Sequence, residues 1–291
     1  MLTSAKARIQ LLCAAALFST GGVAIKACEF RGFELAGLRS SIALVAFLAL
    51  VPLARTWPSG RAWLVGVIYA ATLSTFVVAN KLTTSANAIF LQATAPLYVL
   101  ILAPFLLGER WKLRDLWFFV AMAAGLACFF FDEAQPSATA PDPQLGNQIG
   151  LISGVGWGLS MMGFRWLAKT GSGDMTLQAV VAGNAIAALA CLGWAFASGP
   201  TTISDAGAGS WAWLVYIGVF QIALAYLLVT KAVRELEALE VTLLLLLEPV
   251  LNPLWSLLVH GETPGRLALA GAGILLAATL LHSLRAPVRR N

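Results

Sequence analysis

One pattern occurs twice in the chain: an apolar span with a proline near its middle and a Gly-Glu pair at its end. Adding 153 carries Pro96 onto Pro249, and it carries the pair at 108–109 onto the pair at 261–262. Proline removes a backbone hydrogen bond inside a helix and so interrupts it. Interrupted apolar spans at corresponding places in two halves are typical of substrate sites in membrane transporters. The repeat therefore predicts a membrane protein built from two related halves.

Composition places nearly the whole chain in a bilayer. Hydrophobic residues make up 59% of it and charged residues only 11%, too little polar surface for a water-soluble protein. A helix needs about 20 apolar residues to cross a membrane. Ten such segments, called spans 1 to 10, can be marked at residues 9–28, 33–52, 62–80, 84–107, 115–131, 148–167, 175–197, 210–230, 239–259 and 266–284.

Basic residues between the spans predict the orientation. Thirteen Lys and Arg lie on the side of both termini, whereas only Arg31, Lys81 and Arg266 lie on the other. Both termini are therefore expected in the cytoplasm. This asymmetry and anionic lipid headgroups account for the net charge of +5, so no nucleic-acid partner is expected.

The two halves are predicted to be inverted. The longest connection is rich in proline and lacks Lys and Arg, which predicts a first five-helix repeat over residues 1–134, a periplasmic linker over 135–147 and a second repeat over 148–291. Five is odd, so the second half enters the membrane from the opposite face. An offset of 139 also carries Phe18 onto Trp157 and Lys26 onto Arg165. The predicted fold is an all-α polytopic membrane protein with ten transmembrane helices as two inverted five-helix repeats.

Over essentially its whole length, the chain resembles a known family. The central proline, the Gly-Glu pair and a last span punctuated by glycine, at Gly125 and at Gly271 and Gly273, are similar to the EamA-type exporters of the drug/metabolite transporter (DMT) superfamily. Among them, the chain is most similar to the bacterial aromatic amino acid exporters. The resemblance implies a bacterial inner (cytoplasmic) membrane protein. It also implies a central cavity open to one side at a time and export of small metabolites, most often amino acids.

Glu248 is the deepest acidic residue and a candidate coupling or charge site. It precedes Pro249, which leaves the Leu245 carbonyl without its helical partner. A charged group at mid-bilayer costs at least about 2.5 to 3.5 kcal/mol on insertion scales, so such groups face protein or water. Glu248 would bind a proton or an amine; the alternative is a carboxylate held structurally by a helix break. Ala95 stands at the corresponding position of the first half, so any charge function belongs to one half.

Polar residues around the proline of span 4, and others in spans 7 and 8, are candidate substrate-binding residues. Their alternative role is to join helices, the usual use of such groups in membranes. They are Asn87, Gln92, Thr94, Tyr98, Asn184, Gln221 and Tyr226.

Aromatic and basic residues in the first span of each half complete the candidate site. Phe18, Trp157 and Phe164 lie away from both interfaces, where they would stack on cargo or pack in the core. A carboxylate cargo needs a cation. Lys26 and Arg165 correspond through the repeat and are candidate charge sites. Long basic side chains, Arg39 among them, alternatively reach out to the headgroups.

Two other function classes remain as alternatives. A cation or multidrug proton antiporter similar to the small four-helix relatives would carry an acidic residue in its first span, and residues 9–28 contain none. An intramembrane lipid-modifying enzyme needs clustered catalytic groups, whereas the polar residues here are scattered. We therefore expect no enzyme, no catalytic residue, no metal and no cofactor. The expected partners are a small-molecule substrate and membrane lipids, with the chain acting as a monomer.

Overall fold

The computed structural model describes residues 2–107, 113–131, 136–170, 175–232, 235–236, 244–245 and 247–284. Within this part of the chain the spans are helical, and the only β-type pairing is an isolated bridge between Ser137 and Ala140. The Gly-Glu pair at 108–109 and residues 237–243 and 246 lie outside the described residues, as do residues 285–291.

Helices occupy all five spans of the first half, and two of the spans are broken. Their bounds are Leu2–Ser19 and Gly21–Ala27 in span 1, Gly32–Leu50 in span 2, Gly60–Leu82 in span 3, Ser85–Gln92 and Ala95–Leu107 in span 4, and Leu113–Phe131 in span 5. A short 3₁₀ helix, Pro52–Arg55, follows span 2.

The second half has the same order. Its helices are Pro143–Thr170 in span 6, Met175–Ala197 in span 7, Ala208–Tyr216 and Ala225–Ala232 on either side of a π-helix, Ile217–Leu224, in span 8, Leu247–His260 in span 9 and Arg266–Leu284 in span 10. Span 6 begins earlier than predicted because Pro143 starts the helix and the Asp142 carboxylate accepts a hydrogen bond from the Leu145 N–H at 3.1 Å. Residues 143–147, assigned to the linker, are thus helical.

The outer surface of the helices suits lipid. By length and composition, five helical stretches of the described chain can cross a membrane: 5–27, 32–50, 60–82, 175–197 and 208–232. Large apolar side chains point outward from them and from the shorter helices; Leu189 is 78% exposed and Leu258 75%. A water-soluble protein rarely exposes so much apolar surface. The prediction of an all-helical, polytopic membrane protein is confirmed.

The break in span 4 falls at Ala93 and Thr94, just before its proline. Both N–H groups stay bonded, to the carbonyls of Ile89 at 2.8 Å and Leu91 at 3.3 Å. Pro96 is the second residue of the next helix, where the N–H that it lacks would have had no partner. Pro249 likewise lies in the first turn of Leu247–His260.

The contacts between spans stay the same when each span of the first half is replaced by its counterpart in the second half. Span 2 packs on its counterpart, span 7, and span 5 packs on its counterpart, span 10. Span 3 packs on spans 6 and 7, as span 8 packs on spans 1 and 2. Glycines allow the close approach: a Cβ on Gly66 would lie 3.1 Å from the Gly183 nitrogen of span 7. The halves therefore interlock rather than lie side by side, and their contacts follow the two-fold relation expected of a repeat.

The orientation can be tested by single-cysteine labelling. In a variant whose four native cysteines are replaced by alanine, Ala138→Cys should react only from the periplasmic side and Pro58→Cys only from the cytoplasmic side. Ala138 is preferred because it is exposed, whereas neighbouring Ala140 is buried. Reaction of both positions from one side would contradict the five-plus-five arrangement.

Candidate binding cavity between the two halves

Seven spans converge on a small, partly open cavity of about 30 Å³. Spans 1 to 4, 6, 8 and 9 contribute its lining: Phe18, Arg39, Thr72, Leu73, Phe76, Gln92, Trp157, Gln221, Ile222, Tyr226 and Glu248. Its volume accommodates one or two water molecules. An organic molecule can enter only if the spans move apart.

Tyr226 lies at the centre of an aromatic cluster that forms one side of this cavity. Its ring centroid is 5.0 Å from that of Phe18, 5.0 Å from Tyr69 and 6.3 Å from Trp157, with the rings near edge-to-face. Such pairs add about 0.5 to 1.5 kcal/mol each beyond burial. Phe164 packs on Tyr69 with the centroids 5.5 Å apart, outside the lining. Tyr69, fully buried, escaped the sequence analysis because nothing in its spacing separates it from ordinary core aromatics.

The π-helix in span 8 places Gln221 and Ile222 in the cavity wall. Its wider hydrogen-bonding pattern shifts the side-chain register within a helix, and such segments are frequent at functional sites. A Cβ on Gly21 of span 1 would lie 2.7 Å from Gln221 Nε2, so glycine at this position leaves room for the amide where it lies. Gln221 Oε1 has no hydrogen-bond partner among the described residues. The segment contains no proline, and its single glycine, Gly218, does not distinguish a π-helix from an α-helix, which explains why the π-helix was not predicted.

Gln92, at the end of the first helix of span 4, joins helices and also lines the cavity. Its Nε2 donates to Ser153 Oγ of span 6 at 2.8 Å, and Ser153 Oγ in turn lies 3.4 Å from the Thr72 carbonyl. The side chain also lines the cavity. It thereby ties spans 3, 4 and 6 together at the cavity wall.

Glu248 supplies the only carboxyl group among the lining residues. It is partly buried in the first turn of Leu247–His260. No Lys, Arg or His of the described chain forms an ion pair with it; the ion pair that the described residues form joins Lys26 and Glu262, outside the cavity. Among the residues that the structure describes, the Glu248 carboxyl therefore has no counter-ion.

Five other candidates lie away from the cavity. Asn87 and Asn184 are buried and donate to neighbouring atoms, Asn147 Oδ1 at 3.3 Å and the Val180 carbonyl at 2.9 Å. The Thr94 hydroxyl bonds to the Leu91 carbonyl at the helix break. Tyr98 packs against Gly158 of span 6, and Arg165 is exposed.

Lys26 is also placed outside the cavity, in a buried ion pair. Its Nζ lies 3.0 Å from Glu262 Oε1, with the two side chains only 3% and 5% exposed. It also donates to the carbonyls of Thr83, at 2.8 Å, and Thr139, while Glu262 Oε2 accepts the Ser85 N–H at 3.0 Å. The pair joins span 1, the connections after spans 3 and 9, and the linker. The sequence draws attention to Lys26 and to the Gly-Glu pair separately. Residue spacing does not reveal that two residues 236 positions apart are in contact.

A second layer closes the molecule between this ion pair and the cavity. Ser85 Oγ of span 4 donates to Asn252 Oδ1 of span 9 at 2.8 Å, and a Cβ on Gly22 of span 1 would lie 1.7 Å from Ser85 Oγ. Gly22 and Asn252 are each four residues, about 6 Å along a helix, from the lining residues Phe18 and Glu248. We call Lys26, Glu262, Ser85 and Asn252 the latch. It seals the end that faces the linker.

Comparison with known proteins agrees with this architecture. The model of the EamA-like transporter family matches the chain twice, at residues 5–131 and 144–284. The chain belongs to this family.

Family membership makes the chain a multi-pass membrane protein of a transporter family within the DMT superfamily. One solved structure, described only as a crystal structure of a protein, superimposes with a TM-score of 0.66 over 97% of this chain and 98% of that one. The two are 19% identical, so the likeness concerns the fold alone. No curated protein matches the chain.

The buried ion pair of the latch gives a stability prediction. Lys26→Met leaves the Glu262 carboxylate buried without its cation, a change that typically costs about 3 to 5 kcal/mol. The purified Lys26→Met protein should therefore unfold at a clearly lower temperature in detergent than the wild type. Adding Glu262→Gln, which removes the uncompensated charge and keeps an acceptor for Ser85, should restore most of the loss.

Arg266→Gln is the matched control because Arg266 is exposed at the start of span 10. Its melting temperature should equal that of the wild type. A Lys26→Met protein as stable as the wild type, or a double variant no better than the single one, would show that the pair does not hold the latch.

Proposed function

We propose that this protein is a secondary transporter that exports small metabolites by alternating access through the cavity, with hydrophobic and aromatic amino acids as cargo. In this proposal it works as a monomer in a bacterial inner membrane, with both termini cytoplasmic. The observation that carries the proposal is the cavity itself, which is lined by residues of both family repeats.

The lining supports an amphipathic cargo. The rings of Phe18, Trp157 and Tyr226 offer apolar surface to a hydrophobic side chain. The amides of Gln92 and Gln221 supply polar contacts, and the Glu248 carboxyl suits an ammonium group. An amino acid presents both kinds of group on one small molecule.

The closed latch supports the transport mechanism. Cargo released away from the cytoplasm has to pass between spans 1, 4 and 9, where Gly22, Ser85 and Asn252 touch. Release therefore requires these spans to separate and the pair between Lys26 and Glu262 to break. Alternating access requires a contact of this kind, which closes one end and breaks when that end opens.

The unpaired Glu248 favours a second candidate function, proton-coupled export of an organic cation. A single carboxyl that binds a proton and a cation in turn is sufficient for such an exchange. The two functions differ in the cargo they accept: the antiporter would carry tetraphenylphosphonium in exchange for protons and ignore neutral zwitterions.

Transport by the purified protein in liposomes tests the proposal. Wild-type protein should exchange labelled phenylalanine across the membrane, and Tyr226→Ala should lower the rate at least about tenfold, since an aromatic contact and a buried side chain are both lost. Phe220→Ala is the control because Phe220 belongs to the same π-helix but is exposed. Exchange of tetraphenylphosphonium without phenylalanine would instead support the second function.

Glu248→Gln tests proton coupling. The amide keeps the size of the side chain but cannot lose a proton, so transport by this variant should no longer respond to an imposed proton gradient, whereas the wild type should accelerate. A wild-type rate that ignores the gradient would assign the protein to facilitated export. A variant that keeps the wild-type response would place coupling elsewhere.

A further inference from the structure

Arg39 is the one basic residue in the cavity wall. It lies near the middle of Gly32–Leu50, and its side chain is 0% exposed. A basic side chain that reached out to lipid headgroups would expose its charged end, so this explanation, considered from the sequence, does not apply to Arg39.

The Arg39 guanidinium makes few bonds for so buried a group. Of its five N–H donors, one on Nη2 bonds to the Leu73 carbonyl at 2.8 Å. Nε and Nη1 have no acceptor among the described residues, although both are buried. No described Asp or Glu pairs with Arg39 either, including Glu248 of the same cavity.

Lys26 is a buried cation with a structural role, and its partners differ from those of Arg39. Its ammonium lies 3.0 Å from the Glu262 carboxylate and donates to two backbone carbonyls, so its charge has a counter-ion and two of its N–H groups have acceptors. A buried cation whose bonds are complete holds helices together. A buried cation whose bonds are incomplete is costly, and Arg39 lacks further acceptors among the described residues, so it calls for an acceptor from a bound molecule.

We propose that Arg39 binds the carboxylate of the transported amino acid. The inference rests on the proposed function and names the group that selects its cargo. A guanidinium presents two parallel N–H donors that match the two oxygens of a carboxylate. Glu248, on another wall of the cavity, then faces the ammonium group. Because the two residues are not paired with each other, a zwitterion can neutralise both.

If Arg39 binds the carboxylate of the cargo, the protein should discriminate between molecules with and without this group. A molecule with a carboxylate completes the bonds of Arg39, whereas an amine that lacks it leaves the guanidinium buried and unpaired. Hydrogen bonds to charged groups contribute about 1.5 to 3 kcal/mol, or roughly 10 to 150-fold in affinity. The protein should therefore bind phenylalanine at least about tenfold more tightly than phenethylamine, the same molecule without its carboxylate.

Binding of phenylalanine, phenethylamine and 3-phenylpropionate to the purified full-length protein tests the proposal. Arg39→Gln should remove the preference for phenylalanine over phenethylamine. Arg39→Lys keeps the charge but not the paired donors, and it should weaken phenylalanine binding at a wild-type melting temperature. Glu248→Gln should remove the preference for phenylalanine over 3-phenylpropionate. Arg266→Gln, the exposed control, should bind all three as the wild type does.

The outcomes separate this inference from the function beneath it. Arg39 variants that keep the wild-type preference would overturn the role of Arg39 and leave amino acid transport standing. If Arg39→Gln fails to fold, Arg39→Lys decides alone: unchanged phenylalanine affinity overturns the role. A wild type that binds phenethylamine as tightly as phenylalanine, or binds none of the three, would overturn both claims.

Discussion

A polar group within a bilayer has to face protein or water, because lipid offers no hydrogen bonds. In this chain that constraint directs the polar side chains of several spans inward, toward the cavity, while residues such as Leu189 and Leu258 face outward. The interlocked halves follow from the same constraint, since an inverted repeat brings the polar faces of both halves to one place. The cavity thus lies where the inward-facing polar groups of both halves meet, and some of them, such as Arg39, lack partners among the described residues.

Within that common plan the two halves have diverged. Span 3 is a regular helix, Gly60–Leu82, whereas its counterpart, span 8, contains the π-helix Ile217–Leu224. Glu248 has an alanine as its counterpart in the first half. Lys26 and Arg165 correspond in sequence, but Lys26 is buried in the latch whereas Arg165 is exposed. Symmetry therefore specifies the scaffold, and the departures from symmetry give the cavity its chemistry.

The spans were predictable because length and hydropathy decide which segments a bilayer accepts, and proline decides where a helix is interrupted. Polarity at depth also led to Gln92, Gln221 and Glu248, which line the cavity. It could not separate them from Asn184, because a bond such as that from Asn184 to the Val180 carbonyl depends on the side-chain rotamer. The sequence likewise could not tell the role of Lys26 from that of Arg39. The two side chains differ in how many hydrogen-bond acceptors surround them, which only the tertiary structure shows.

In the proposed transport cycle the latch has to open for cargo to pass, so a cross-link across the latch should block transport. Ser85 and Asn252 touch through their side chains, so Ser85→Cys and Asn252→Cys, in a chain without its native cysteines, can be joined by a disulfide or a short thiol cross-linker. We expect phenylalanine exchange in liposomes to stop on cross-linking and to return on reduction, with both single-cysteine variants unaffected by the oxidant. Undiminished exchange by fully cross-linked protein would contradict the account.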